Sequence, residues 1–216
     1  MQSITKLHQY RWIVQAVAWA SCLALYLSRL SIGPLAPFLK DAFHLSNAQV
    51  GSLASAAGMA YAPTMLVAGW LVDRIGVRRI LIIGTLICGL SGIAIFFAPS
   101  YNTMFSLLVL TGVGAGCIFP SAVKAVVLWF SRRERGTVLG LNQSALNVAG
   151  IIGATLLPSI AITVGWRWGF LLVGVGTLAI CLLCVALYWN PTPEQNFRRH
   201  QEIFHPTRIP NRLLPG

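Results

Sequence analysis

Six apolar runs, each close to twenty residues or longer, follow one another along the 216-residue chain with only short polar breaks between them. They cover about 12–39, 48–72, 80–98, 103–130, 137–164 and 169–189. A helix needs about 20 apolar residues to cross a bilayer. In lipid every backbone N–H and C=O has to be paired inside the protein, and an apolar run of this length meets that demand as a helix. The pattern predicts an all-α membrane protein of six transmembrane helices, with residues 12–190 as one bundle and residues 1–11 as a short polar lead-in. The tail, 191–216, is polar and proline-rich and is expected to be disordered.

Charge decides against a soluble alternative. Only 10% of the residues are charged, and a soluble domain carries about 25%. The net charge of +11 does not form one basic patch that would fit nucleic acid; its cations lie between the apolar runs. Two basic turns stand out. One is Gly69-Trp70-Leu71-Val72-Asp73-Arg74-Ile75-Gly76-Val77-Arg78-Arg79, between the second and third runs. The other is Ser131-Arg132-Arg133-Glu134-Arg135-Gly136, between the fourth and fifth. Twelve of the sixteen Lys and Arg fall in the N-terminus, these turns and the tail, which places both termini and both turns in the cytoplasm. Trp12, Trp129, Trp166, Trp168 and Trp189 fall at expected helix ends, where amphipathic rings favour the interface. Ser46 and Gln49 have capping-box spacing at the start of the second helix. No cleavable signal peptide is evident.

Several motifs receive a bland reading. Cys181-x-x-Cys184 lies within the last apolar run without a second pair, and all five cysteines read as small helix residues. Gly112, Gly114 and Gly116 lack the strand that a nucleotide loop requires, and read as sites of close helix packing. The four histidines fall in loops and tails, and the carboxylates are scattered. An enzyme needs a convergent constellation, and none is present in the sequence; no metal or cofactor is expected.

Arg29 and Lys124 are the two cations inside apolar runs. A cation at mid-helix costs about 2.5–3.5 kcal/mol on insertion scales, so it normally faces a watery cavity or a partner. No Asp or Glu lies inside the six runs, so neither cation is expected to find an acidic partner in this chain. A small anionic solute would supply one, with Arg29 as a planar fork and Lys124 as a point charge. Tyr26, Tyr61, Asn142, Gln143 and Asn147 are polar residues that could line the same substrate cavity. The first and fourth runs each carry a cation and a proline, and the second and fifth are each rich in small and polar residues, which suggests a 3+3 repeat.

Gly69, Asp73, Arg74, Gly76, Arg78 and Arg79 fit the fixed places of the gating loop between helices two and three of major facilitator superfamily (MFS) transporters. The second basic turn and Gly165-Trp166-Arg167-Trp168 resemble that family's loop after helix four and its approach to helix six. The chain is therefore similar to the N-terminal six-helix half of an MFS permease over about residues 10–190. Tyr26-Leu27-Ser28-Arg29 further resembles the helix-one segment of anion:cation symporters for sugar acids and related organic anions. Acidic residues which that resemblance leads one to expect are replaced by Ser28 and Ala115. A drug-antiporter signature in helix five is absent, and Leu108 stands near the place of the helix-four arginine found in many proton-coupled members.

The resemblance implies a secondary transporter, or a truncated half of one, moving a small organic anion across the inner (plasma) membrane by alternating access. A non-transporting binding or regulatory module that keeps the anion site is the alternative. The implied partners are the anion, the bilayer, and a second six-helix half or a second copy; nucleic acid is not among them. The resemblance also implies that Asp73 latches onto a second half, so that its partner is not encoded here and Asp73→Asn changes little in the isolated chain.

Overall fold

The structure, a computed structural model, describes residues 2–188, with side chains from residue 10 onward. The expected disordered tail and Trp189 lie outside the described residues. Among the described residues seven helices run in order: α1 (Gln2–Leu30), α2 (Ile32–Phe43), α3 (Asn47–Ile75), α4 (Val77–Phe96), α5 (Tyr101–Trp129), α6 (Arg132–Thr163) and α7 (Trp166–Leu187). Together they make six spans long and apolar enough to cross a membrane, because α1 and α2 follow each other as one span over Tyr10–Phe43.

The first span departs from the sequence expectation. Its helical course passes both prolines and ends at Phe43, not near Leu39, and it breaks at Ser31. Pro34 has no N–H to donate to the carbonyl one turn earlier, that of Leu30, so the hydrogen-bond ladder is interrupted there. Ser31 patches the break: its N–H reaches the Leu27 carbonyl at 3.1 Å and its hydroxyl reaches the Ser28 carbonyl at 3.0 Å. A left-handed His44 (φ 50°) ends α2. The capping box at the start of α3 forms as read, with Ser46 N–H donating to Gln49 Oε1 at 2.9 Å and Gln49 N–H to Ser46 Oγ at 3.3 Å.

The first basic turn is hardly a loop. Asp73 and Arg74 belong to the last turn of α3, and Arg78 and Arg79 to the first turn of α4. Only Gly76 lies between, at φ 95° and ψ 154°, a conformation that residues with a Cβ scarcely adopt. Gly165, between α6 and α7, has nearly the same angles, φ 105° and ψ 152°. These two junctions sit at opposite ends of the bundle.

Helices α3, α5, α4 and α7 pack side by side in that order, and α1 lies along α6 while also touching α5 and α7. The first four are joined where backbones nearly touch. A Cβ on Gly84 would lie 2.8 Å from the Gly114 carbonyl, and one on Gly92 would lie 2.9 Å from the Gly174 Cα. A Cβ on Gly112 would collide with the Ala57 backbone. This bears out the packing reading of these glycines: small residues let helices approach in lipid. Side-chain packing fills the rest. One apolar cluster, with Leu25, Leu81, Ile118 and Trp129, occupies the half nearer the basic turns; another, with Leu35, Leu53, Met104 and Phe170, occupies the opposite half. Helices α3 and α6 are the least buried of the spans.

Gly112→Ala should lower the thermal stability of the detergent-purified chain by the equivalent of about 1–3 kcal/mol, as overpacked sites do. Gly140→Ala, where a Cβ meets nothing within 4 Å, should leave it unchanged or slightly raised. Circular-dichroism melting of the two variants beside the parent checks both expectations.

Candidate functional site

The seven candidate lining residues come from α1, α3, α5 and α6; none lies on α4 or α7. They do not form one cluster. Arg29, in the last turn of α1, turns its guanidinium over the Tyr61 ring of α3 at 4.3 Å from Cζ to the ring centroid. Its Nη2 also lies beside Gly58, 3.9 Å from where a Cβ would stand. The side chain therefore points across to α3 inside the bundle. Two features favour a cation there. The ring face is negative, and the α1 terminus presents partial negative charge, sharpened because Pro34 cannot satisfy Leu30. Among the described residues no carboxylate, carbonyl or hydroxyl accepts a hydrogen bond from this guanidinium.

Lys124 behaves differently, and here the structure corrects the sequence expectation that neither cation finds an acid. Lys124 Nζ lies 2.8 Å from Asp73 Oδ1. Asp73 thus has a partner within this chain, contrary to the expectation that its partner is missing. An ion pair 51 positions apart in sequence joins the end of α3 to α5, and nothing in local spacing announces it. The two cation contacts are also far apart. Tyr61 and Asp73 stand twelve residues apart on α3, which is about 18 Å along the helix. Arg29 and Lys124 therefore do not share one pocket in this arrangement.

A row of polar contacts runs between α1 and α6. Arg11 bridges to Glu134 at 3.0 Å. Gln15 Nε2 donates to Asn142 Oδ1 at 2.9 Å, Trp19 Nε1 to Ser144 Oγ at 3.1 Å, and Tyr26 OH to Gln143 Oε1 at 3.1 Å. Two members are incompletely matched. Gln15 is 3% and Asn142 6% exposed, yet Gln15 Oε1 and Asn142 Nδ2 have no partner. Ser28, at the place where the resemblance expects an acid, is also buried with its Oγ unpartnered. A cavity of about 170 Å³ opens between α1, α5 and α6, bordered by Cys22, Phe119, Ala122, Val123, Asn142 and Gln143. Asn147 stands exposed on α6. Sequence reading missed Gln15 and Cys22; a glutamine inside an apolar run is the signal that could have found the first.

The residues of the first basic turn divide by their contacts. Gly69 has nothing within 4 Å of a would-be Cβ. Arg74 stacks its Cζ 4.1 Å from the exposed Trp70 ring. Arg78 Nη2 donates to the Val185 carbonyl at 2.6 Å, in the last turn of α7. Arg135 of the second basic turn likewise donates to the Val127 and Phe130 carbonyls at the end of α5, at 2.8 and 3.2 Å. Helix C-termini leave carbonyls without intrahelical donors, and basic side chains are natural caps for them.

The arrangement is that of a helical bundle with a polar, partly unsatisfied α1–α6 seam and, facing α3, an arginine with no hydrogen-bond acceptor among the described residues. It has the architecture of a membrane permease bundle. The profile of the Major Facilitator Superfamily matches residues 18–213, and the chain belongs to that family, as a multi-pass membrane protein. It is 30% identical over 173 residues to the probable sulfoacetate transporter SauU of Cupriavidus necator, covering 80% of this chain and 40% of that protein. It is 28% identical over 170 residues to the hexuronate transporter of Bacillus subtilis, covering 79% and 39%. Among solved structures it superposes on a bacterial homologue of the human lysosomal transporter Spinster, in an inward-facing, unoccupied conformation. That match has a TM-score of 0.76 at 18% identity, and covers 85% of this chain and 44% of the other. The chain spans less than half the length of these proteins.

The half-matched Gln15–Asn142 pair yields a stability test. Gln15→Leu leaves both polar atoms of Asn142 buried without a partner and should cost about 1–3 kcal/mol. Removing both groups in Gln15→Leu/Asn142→Leu should recover most of that loss. A double-mutant cycle of melting temperatures in detergent checks the pair.

Proposed function

We propose that this chain is the anion-binding bundle of a secondary transporter that carries a small organic anion across the inner (plasma) membrane. Both termini are then cytoplasmic, as the basic turns suggest. One observation carries the reading: Arg29 is held inside the bundle over Tyr61 with no acceptor for its five N–H donors among the described residues. A fork of this kind is completed by a carboxylate or sulfonate, which offers paired oxygens. The relatives named above, a probable sulfoacetate transporter and a hexuronate transporter, agree with that chemistry. The neighbouring cavity, with an unpaired amide donor at Asn142, suits the polar body of such a solute.

In alternating access the site lies between two bundles that rock about it. The proposal therefore includes a second six-helix bundle, from further chain or from a second copy. It would cover α3 and α6, whose open glycines, Gly51 and Gly69 on α3 and Gly140 and Gly150 on α6, meet nothing in the structure. The matched Gly76 and Gly165 junctions, at opposite ends, support an inverted 3+3 repeat.

Arg29→Gln should weaken binding of sulfoacetate or glucuronate by at least about 30-fold, the loss expected when a buried charge-assisted contact of roughly 2 kcal/mol or more is removed. Arg29→Lys should keep part of the affinity, as a point charge without the fork. Titration calorimetry on the purified chain measures both; unchanged binding in Arg29→Gln sinks the reading. Vesicles reconstituted with the parent chain add the direct test. Accumulation of the labelled anion supports transport, and binding without accumulation means a binding module.

A further inference from the structure

We infer that Asp73 is a specificity-determining residue: by holding Lys124 at the end of α3, it leaves Arg29 as the single cation of the anion site and so biases that site towards monoanions. The inference rests on the reading of Arg29 as the anion anchor.

Three observations support it. First, the pair is formed but not sealed. Lys124 and Asp73 lie 2.8 Å apart, with side chains 41% and 62% exposed. Exposed pairs of this kind are worth at most about a fivefold preference, so an arriving carboxylate competes with Asp73 on nearly equal terms. Second, Lys124 follows a residue that borders the cavity. Val123, the residue before it, borders the space that Asn142 and Gln143 also border. Helical side chains lean towards the N-terminus of their helix. For α5 this is the direction leading away from Asp73 and towards the level of Tyr61 and Arg29.

Third, the lengths are compatible. The two cation contacts are about 18 Å apart along α3. The lysine stem is about 6 Å long, so swinging it inward narrows the gap by as much as about 12 Å. A six-carbon diacid, with carboxylates roughly 7 Å apart and a hydrogen bond of about 3 Å at each end, falls within the range this swing opens. With Asp73 in place the second carboxylate has to displace it. Without Asp73, Lys124 is a free second cation, and a dianion gains what a monoanion cannot.

The matched probes are gluconate and glucarate, which share a six-carbon skeleton and differ by one carboxylate. Affinities are measured by titration calorimetry on the purified 216-residue chain, with monodispersity checked by size exclusion. Asp73→Asn should raise the glucarate-to-gluconate affinity ratio about three- to fivefold, and Asp73→Ser provides a second removal of the charge should the first variant aggregate. In a Lys124→Gln background, Asp73→Asn should leave the ratio unchanged, which separates release of Lys124 from a general loss of negative charge. An unchanged ratio in Asp73→Asn, or the same gain with Lys124 absent, overturns the inference while loss of both ligands in Arg29→Gln leaves the anion site standing. Failure of the parent chain to bind either anion overturns the anion site and this inference with it.

Discussion

Helices in a bilayer gain little by hiding apolar surface from each other, since the lipid is as apolar as they are; what holds them is close packing. Here that packing is concentrated where glycine meets backbone. Gly112 against Ala57, Gly84 against Gly114 and Gly92 against Gly174 bring α3, α5, α4 and α7 into a continuous row. The interface between α1 and α6 is of another kind. It is a line of side-chain hydrogen bonds, from Arg11–Glu134 through Gln15–Asn142 and Trp19–Ser144 to Tyr26–Gln143. Backbone contact tolerates no inserted atom, whereas a polar seam can admit water or a solute. The cavity and the unpaired amide atoms lie on the polar side, where the packing permits them.

The same division governs the charges. Near the basic end several strong groups are matched locally: Arg78 and Arg135 cap helix carbonyls, Glu134 gathers Arg11 and the Ser131 N–H and hydroxyl, and Asp73 holds Lys124. Arg29, deeper in the bundle, has only a ring face. A cation–π contact offsets part of the cost of desolvation, about 2 kcal/mol at best, but leaves the donors of the fork unused. Stability alone would be served by a neutral residue at that position. The reading proposed above gives that arginine its missing acceptor from outside the chain.

Much of the fold could be read from the sequence because its determinants are local. Span length follows from apolar run length, the α3 start from Ser46 and Gln49, and the sharp α3–α4 junction from Gly76 amid basic residues. The break at Ser31 was less legible, since a proline in the third position of a helix can start it or interrupt what precedes it. The site was legible only as a set of residue types. That Arg29 would meet Tyr61, and Lys124 would meet Asp73, depends on how α1, α3 and α5 slide past one another. That sliding is set by glycine contacts between residues such as Ala57 and Gly112, far apart in the chain. Residue chemistry singled out the two cations; packing decided that Lys124 meets Asp73 while Arg29 meets only a ring.

Asp73 shows why the distinction matters. Read as part of a loop signature, it is a group waiting for a partner beyond the chain. In the folded bundle it sits on the last turn of α3, close to a helix C-terminus that disfavours a negative charge. Lys124 neutralises it there, and on the proposed reading is thereby withheld from the anion site. One carboxylate therefore touches two things at once: the helix end beside the Gly76 junction, and the number of cations that face the interior. On the reading proposed above, drawing Lys124 inward leaves Asp73 unneutralised at the end of α3, which would couple the anion site to the α3–α4 corner through this displaceable ion pair.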